Sequence, residues 1–363
     1  MSRRFTLSLA SFATIAGLVI LAYQLTRPDQ AKPVSNELII YSTTDTNVFA
    51  PVIEDFKTLY PDIIVHYELL DALPLYSRIL REEETGAPGA DLILSSAMDL
   101  QVKLVNEGFA APHTSQSAAA LPSWASWRNE AFGVTFEPAV LVYNNELMEG
   151  RPLPQTRQEL LRALRLEPEF WRGRVGTYDI AKSSVGYLLA SQDDRRSNDF
   201  GMLLDAFGES HVVTSENTSS LLDQIELGKL AVGYNLLGSY ARARVESGSR
   251  ISIVYPQDYT LAVSRTAVIL KSSRHPNAAH IFLEYLLSIR GQRVLSERSY
   301  LSAIRPEIDG PYDRLGISET QLGLLRPIAL GPGLLVYLDP MKHDGILENW
   351  NEALHTPEAV SPP

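Results

Sequence analysis

Three times this sequence runs a short apolar segment into hydroxyl side chains and then into apolar positions at helical spacing. Leu38, Ile39, Ile40 and Tyr41 lead to Ser42, Thr43, Thr44 and Asp45, after which Phe49, Val52, Ile53, Phe56 and Leu59 follow a helix period. Past the turn at Pro88 and Gly89, Leu92, Ile93 and Leu94 lead to Ser95 and Ser96, then Met98, Val102 and Val105. Val175, Gly176, Thr177 and Tyr178 lead to Lys182, Ser183 and Ser184, then an apolar helix over residues 185–190. Strand, loop and helix in alternation predict an α/β fold built on a mostly parallel sheet with helices on both faces. Ligands of such sheets bind at the carboxyl ends of the strands. There, free backbone N–H groups and the positive end of each helix dipole favour an anion. A serine at such a point also serves as a plain N-cap. It is the recurrence that points to a site.

The remaining pattern fills out two domains, which 363 residues readily supply. Residues 63–67 read as a strand, and Tyr76, Ile79 and Leu80 as part of a helix. Residues 118–127, with Trp124 and Trp127, read as a loop. Residues 132–136 and 140–143 read as extended segments interrupted at Pro138, a crossing between domains. Residues 192–199 read as an exposed polar gap, with Asp193 and Asp194 solvated. Helices are expected at 200–207, 219–227 and 278–287 and through Gln292 and Leu295, and strands at 230–234, 251–255 and 267–270. Further helices are expected within 319–350, around Gly331, Pro332 and Gly333.

A net charge of -11 argues against a nucleic-acid partner, which needs a basic face. The absence of cysteine removes disulfides, thiolate nucleophiles and thiolate metal sites. Arg3 and Arg4 precede an uncharged, mostly apolar run over residues 5–25, so residues 1–31 are expected to be either a cleaved export signal or a retained membrane anchor. Either places the rest of the chain in the periplasm or otherwise outside the cytoplasm.

The ordered series of residues 38–41, 55–65, 90–96 (ADLILSS), 171–176 (WRGRVG), 228–235 (GKLAVGYN) and 282–292 (FLEYLLSIRGQ) resembles bacterial type 2 periplasmic solute-binding proteins of ABC importers, family 1 of the extracellular solute-binding proteins. Within them it is similar to the branch that includes ferric-iron and phosphoglycerate-linked binding proteins. The resemblance runs over about residues 37–310. It implies two α/β lobes that close on a ligand, residues 37–137 with 262–315 forming one and 138–261 the other, and residues 316–355 packing on them as C-terminal helices. Ser42, Thr43, Thr44, Asp45, Ser95 and Ser96 would then face Tyr178, Ser183, Ser184, Tyr234 and Asn235 across the cleft. Iron-binding relatives carry adjacent tyrosines after the strand ending at Asn235, whereas this chain reads Asn235, Leu236, Leu237, Gly238, Ser239, Tyr240. That departure argues against direct tyrosinate coordination of iron.

No G-x-S-x-G elbow, P-loop or G-x-G-x-x-G occurs, and the seven histidines lack metal-ligand spacing, which predicts surface or capping roles for them. Arg174 and Lys182 flank the third hydroxyl loop and are candidates to complement an anion. The expected function is capture of a small anionic solute for an ABC permease or a sensor histidine kinase, without enzymatic activity, cofactor or resident metal. The alternatives are a ferric-iron or metal-chelate binder of the same fold and a receptor used only for signalling.

Overall fold

The computed structural model describes residues 36–308 and 325–354. The N-terminal signal or anchor expected at residues 1–31 lies outside them, as do residues 319–324 of the expected C-terminal helices. Among the described residues, no helix is long and apolar enough to cross a membrane.

The architecture is two-lobed, each lobe a sheet flanked by helices. The first sheet contains β1 (Glu37–Ser42), β2 (Ile64–Leu69), β3 (Leu92–Ser95), β4 (Ala110–Ala111), β5 (Ser126–Trp127), β6 (Ala131–Gly133) and β13 (Thr266–Leu270). Their order is β2-β1-β3-β13-β6-β5, with β4 on β13. The second contains β7 (Glu137–Asn144), β8 (Val175–Tyr178), β9 (Val213–Ser215), β10 (Val232–Leu237), β11 (Ile251–Val254), β12 (Thr260–Val263) and β14 (Leu325–Pro327). Here the order is β14-β12-β7-β10-β8-β9, with β11 on β7.

The parallel ladders follow from the strand–loop–helix units: β1 with β2 and β3, and β8 with β9 and β10. Both sheets are nevertheless mixed, where the sequence predicts mostly parallel ones. The chain passes from the first sheet to the second through residues 134–136 and returns through residues 264–265, so β7 and β13 run antiparallel to the strands beside them. Pro138 does not interrupt β7. As the second residue of that strand, opposite Ala262, it stands where a missing N–H is tolerated.

Alternation along β1 shows how one strand serves two layers. Leu38 and Ile40 point to a core with Phe49, Phe56 and Phe282, where Phe56 meets Phe282 edge to face at 4.8 Å. Tyr41 points to a second core that continues through Val140, Leu188 and Leu236 of the other lobe. A third core, around Tyr143, Leu160, Phe207 and Trp350, backs the second sheet and is closed by the helix Pro340–Leu354. Trp124 and Trp127 pack against the shared core as parts of a 3-10 turn and of β5, not as an open loop. The expected polar gap at 192–199 is also different, because the helix Ser184–Arg196 runs through it and buries Ser191, Gln192 and Asp193.

Candidate functional site

At the carboxyl end of β1, Ser42 turns the chain into Thr43, Thr44 and Asp45 before the helix Thr46–Leu59. At the end of β3, the Ser95 hydroxyl accepts the Ala97 N–H at 3.1 Å, while the Ser96 N–H reaches the Thr43 hydroxyl at 3.3 Å. The two loops are thereby held side by side. In the other lobe, Ser183 caps Ser184–Arg196 by accepting the Gly186 N–H at 3.3 Å. Asn217 caps Thr218–Glu226 by accepting the Ser220 N–H at 3.0 Å. The helix Gly238–Glu246 starts directly from β10.

All of these ends meet at one cleft of about 540 Å³. Thr43, Asp45, Asp71, Ser96 and Arg265 line it from one side, and Ser183, Ser184, Asn217, Thr218, Ser219 and Tyr240 from the other. It takes in the N-terminal ends of six helices, those beginning at or next to Asp45, Asp71, Ser96, Ser183, Asn217 and Leu237. Backbone N–H groups and dipoles so arranged create a positive potential whatever the net charge of the chain. The Ser184 hydroxyl is buried there and has no hydrogen-bond partner among the described residues.

Arg265 supplies a formal charge. It is 1% exposed, and its Nη1 donates to the Thr44 hydroxyl at 2.8 Å. Its Nε lies 2.7 Å from Glu137 Oε1 but off the N–H direction, so the contact is an ion pair rather than an aligned hydrogen bond. Burial, opposed by Arg265, pushes the Tyr240 phenol up, with Asp45 adding to the rise; it is a neutral hydrogen-bonding group at neutral pH. Lys182 is 63% exposed at the rim and is shared between Asp179 and Glu216. Arg174 lies away from the cleft, its guanidinium over the Phe170 ring.

The predicted residues divide into three groups. Thr43, Asp45, Ser96, Ser183 and Ser184 line the cleft. Ser42, Thr44, Ser95 and Tyr178 stand behind it: Ser42 accepts the Thr44 N–H, Thr44 accepts from Arg265, and Tyr178 meets the Thr218 hydroxyl at 2.6 Å. Tyr234 and Asn235 belong to a separate buried network. Both donate to Asp193 Oδ2, at 2.7 and 2.6 Å. Tyr259 donates to Asp193 Oδ1 at 2.7 Å, and Arg157 Nη2 lies 3.1 Å from the same oxygen. Asp193 is 0% exposed, not solvated as its neighbours in sequence suggest. The Tyr234 phenol is pushed well up by burial and is committed to this network, which removes it as an oxygen ligand for the cleft.

Sequence reasoning missed Arg265 and the loop at 217–219, and it considered Tyr240 only as an oxygen ligand for the metal alternative. The loop had a signal, since Asn217, Thr218 and Ser219 follow β9 and open a helix in the pattern already read three times. So did Arg265, a lone charge inside the run LAVSRTAVIL.

Among the described residues, no group of three or more histidine, aspartate or glutamate side chains is placed to hold a metal ion. A family model described as bacterial extracellular solute-binding protein matches residues 42–293. The chain is 26% identical over 268 residues to the phosphoglycerate transport regulatory protein PgtC of Salmonella typhimurium, a match covering 72% of this chain and 64% of that protein. It thus spans less than two thirds of that relative's length. The substrate binding protein of an ABC transporter from Agrobacterium tumefaciens is 37% identical, with a TM-score of 0.84 over 89% of this chain and 96% of that one. Two more distant structures share the fold: AfuA from Actinobacillus pleuropneumoniae with fructose-6-phosphate bound (16% identity, TM-score 0.73, 88% and 99% covered) and iron-bound HitA from Pseudomonas aeruginosa (19%, 0.68, 87% and 99%).

Proposed function

The chain belongs to the bacterial extracellular solute-binding proteins, and from that membership we propose that it captures a small phosphorylated or carboxylated anion between its lobes, outside the cytoplasm, for delivery to an ABC permease. The observation that carries this reading is the convergence of six helix N-termini and the Arg265 guanidinium on one cleft. An anion there accepts hydrogen bonds from backbone N–H groups and hydroxyls of both lobes at once. Such bonds form only when the lobes are together, so the ligand shifts the population toward the closed shape that a membrane partner recognises. The chemistry needed is recognition and release. A receptor rather than an enzyme is the reading that membership of this family supports.

We place the lobe boundaries at residues 134–136 and 264–265, where the chain changes sheets, so that Glu137 and residues 262–263, expected in the first lobe, go with the second. A phosphorylated ligand is supported by the designation of PgtC and by the fructose-6-phosphate in AfuA. The iron seen in HitA favours a ferric alternative, which the burial of Tyr234 and the neutral Tyr240 phenol disfavour here. The regulatory designation of PgtC supports a membrane sensor as a second partner.

The test is thermal unfolding against inorganic phosphate, 3-phosphoglycerate, fructose 6-phosphate, citrate and ferric citrate, with Ser96→Ala and Ser183→Ala beside the wild type. A rise in Tm with one anion, reduced in both variants, is the expected result. A rise with ferric citrate alone contradicts it.

A further inference from the structure

Arg265 and Glu137 sit on the two chain segments that join the lobes. Glu137 is the first residue of β7, and Arg265 lies between β12 and β13. The segments are themselves bonded together: the Val134 N–H donates to Arg265 O at 2.8 Å, and the Arg265 N–H to the Thr135 hydroxyl at 2.9 Å. Glu137 is fully buried, accepts from Thr135 at 2.9 Å and from the Ser239 hydroxyl, and lies against the guanidinium on the side away from Thr44. Arg265 reaches both lobes as well, with Thr44 on one and Tyr240 on the other.

A buried arginine that lines a ligand cleft while fully paired to a carboxylate is an unusual way to attract an anion. Most of its charge is already compensated, and in a low-dielectric site the carboxylate also repels whatever anion approaches the opposite edge. Resting on the anion reading above, we infer that Glu137 is a positioning and attenuating residue: it holds Arg265 at the cleft floor and keeps anion affinity low enough for release. Its place on the connecting segments gives this a mechanical side. Bending them to open the lobes changes the geometry between Arg265 and its partners, so the charge offered to the ligand depends on closure. An unattenuated arginine would hold the anion after opening and defeat delivery.

The inference separates from a merely structural role by the sign of one effect. Glu137→Gln keeps the size and an acceptor for Ser239 but removes the charge. The unliganded variant should melt below the wild type, because Arg265 is left buried without a counter-charge, yet it should bind at least tenfold more tightly the best of three probes: inorganic phosphate, 3-phosphoglycerate or fructose 6-phosphate. Glu137→Asp, which keeps the charge but retracts it, should move both quantities the same way and less, and it serves if the glutamine variant fails to fold. The double variant Glu137→Gln/Arg265→Met should melt above Glu137→Gln and respond to none of the probes. Equal or weaker binding by folded Glu137→Gln and Glu137→Asp overturns the inference. Wild type that binds no probe overturns the anion reading for these compounds, and the inference falls with it.

Discussion

Arg265 and Asp193 show two opposite uses of a buried charge. Arg265 is turned to the cleft, and Arg265→Met should weaken anion binding by at least tenfold, measured calorimetrically, since a charge-assisted contact contributes about 1.5–3 kcal/mol. Asp193 instead anchors a buried polar network. Its two oxygens take contacts from Tyr234, Asn235, Tyr259 and Arg157, so Asp193→Ala should cost about 1–3 kcal/mol in denaturant unfolding by leaving buried donors without an acceptor, while Arg157 keeps its ion pair with Asp258 at 3.1 Å. Arg265 left a trace in the sequence as a lone charge in an apolar run, whereas Asp193 left none. Asp193 stands in a run of polar residues that locally reads as surface, and only the contact with residues 157, 234 and 259, far away in sequence, shows otherwise. The histidines give a similar lesson. His113, expected in a surface or capping role, is buried with its Nδ1 2.9 Å from His280 Nδ1, while its Nε2 lies 3.4 Å from Glu284. Burial, then His113, holds the His280 pKa below its usual 6.5. The unfolded chain therefore takes up a proton first as pH falls, so stability is greatest above that value and declines below it. Melting temperature should drop between about pH 7.5 and about pH 5.5, and drop less in His280→Gln.

At the scale of elements, the strand–hydroxyl–helix unit was the readable feature because apolar periodicity and turn chemistry agree in it, with side-chain capping added in the third unit only. Ser183 is a clear instance. Ser183→Ala should lower stability by about 1 kcal/mol through loss of the cap on Ser184–Arg196, and should also reduce the ligand-induced rise in Tm, whereas Asn217→Ser keeps a capping oxygen and should preserve stability. What failed at this scale had non-local causes. β12 is a four-residue strand that exists through its pairing with β7 and β14, and β7 runs through Pro138 because its neighbours tolerate a missing donor there. The antiparallel direction of β13 follows from the route by which the chain re-enters the first sheet, which no local pattern encodes.

For the whole molecule, two lobes and a cleft could be anticipated from the order of segments, and five of the eleven proposed ligand residues line that cleft. Of the other six, Ser42, Thr44 and Ser95 turn inward because successive residues of the first two loops point alternately outward and inward, while Tyr178, Tyr234 and Asn235 are strand residues bonded to partners distant in sequence. Net charge was silent about the site, because the positive potential arises from backbone ends and one arginine within an acidic protein. The central claim is that these ends form an anion site between the lobes. Its most direct test is a calorimetric titration of wild type and Arg265→Met with 3-phosphoglycerate and fructose 6-phosphate. Saturable binding of at least one by the wild type, lost or weakened at least tenfold in the variant, is the predicted result. Equal affinity in the two proteins, or no binding of either compound by the wild type, contradicts it.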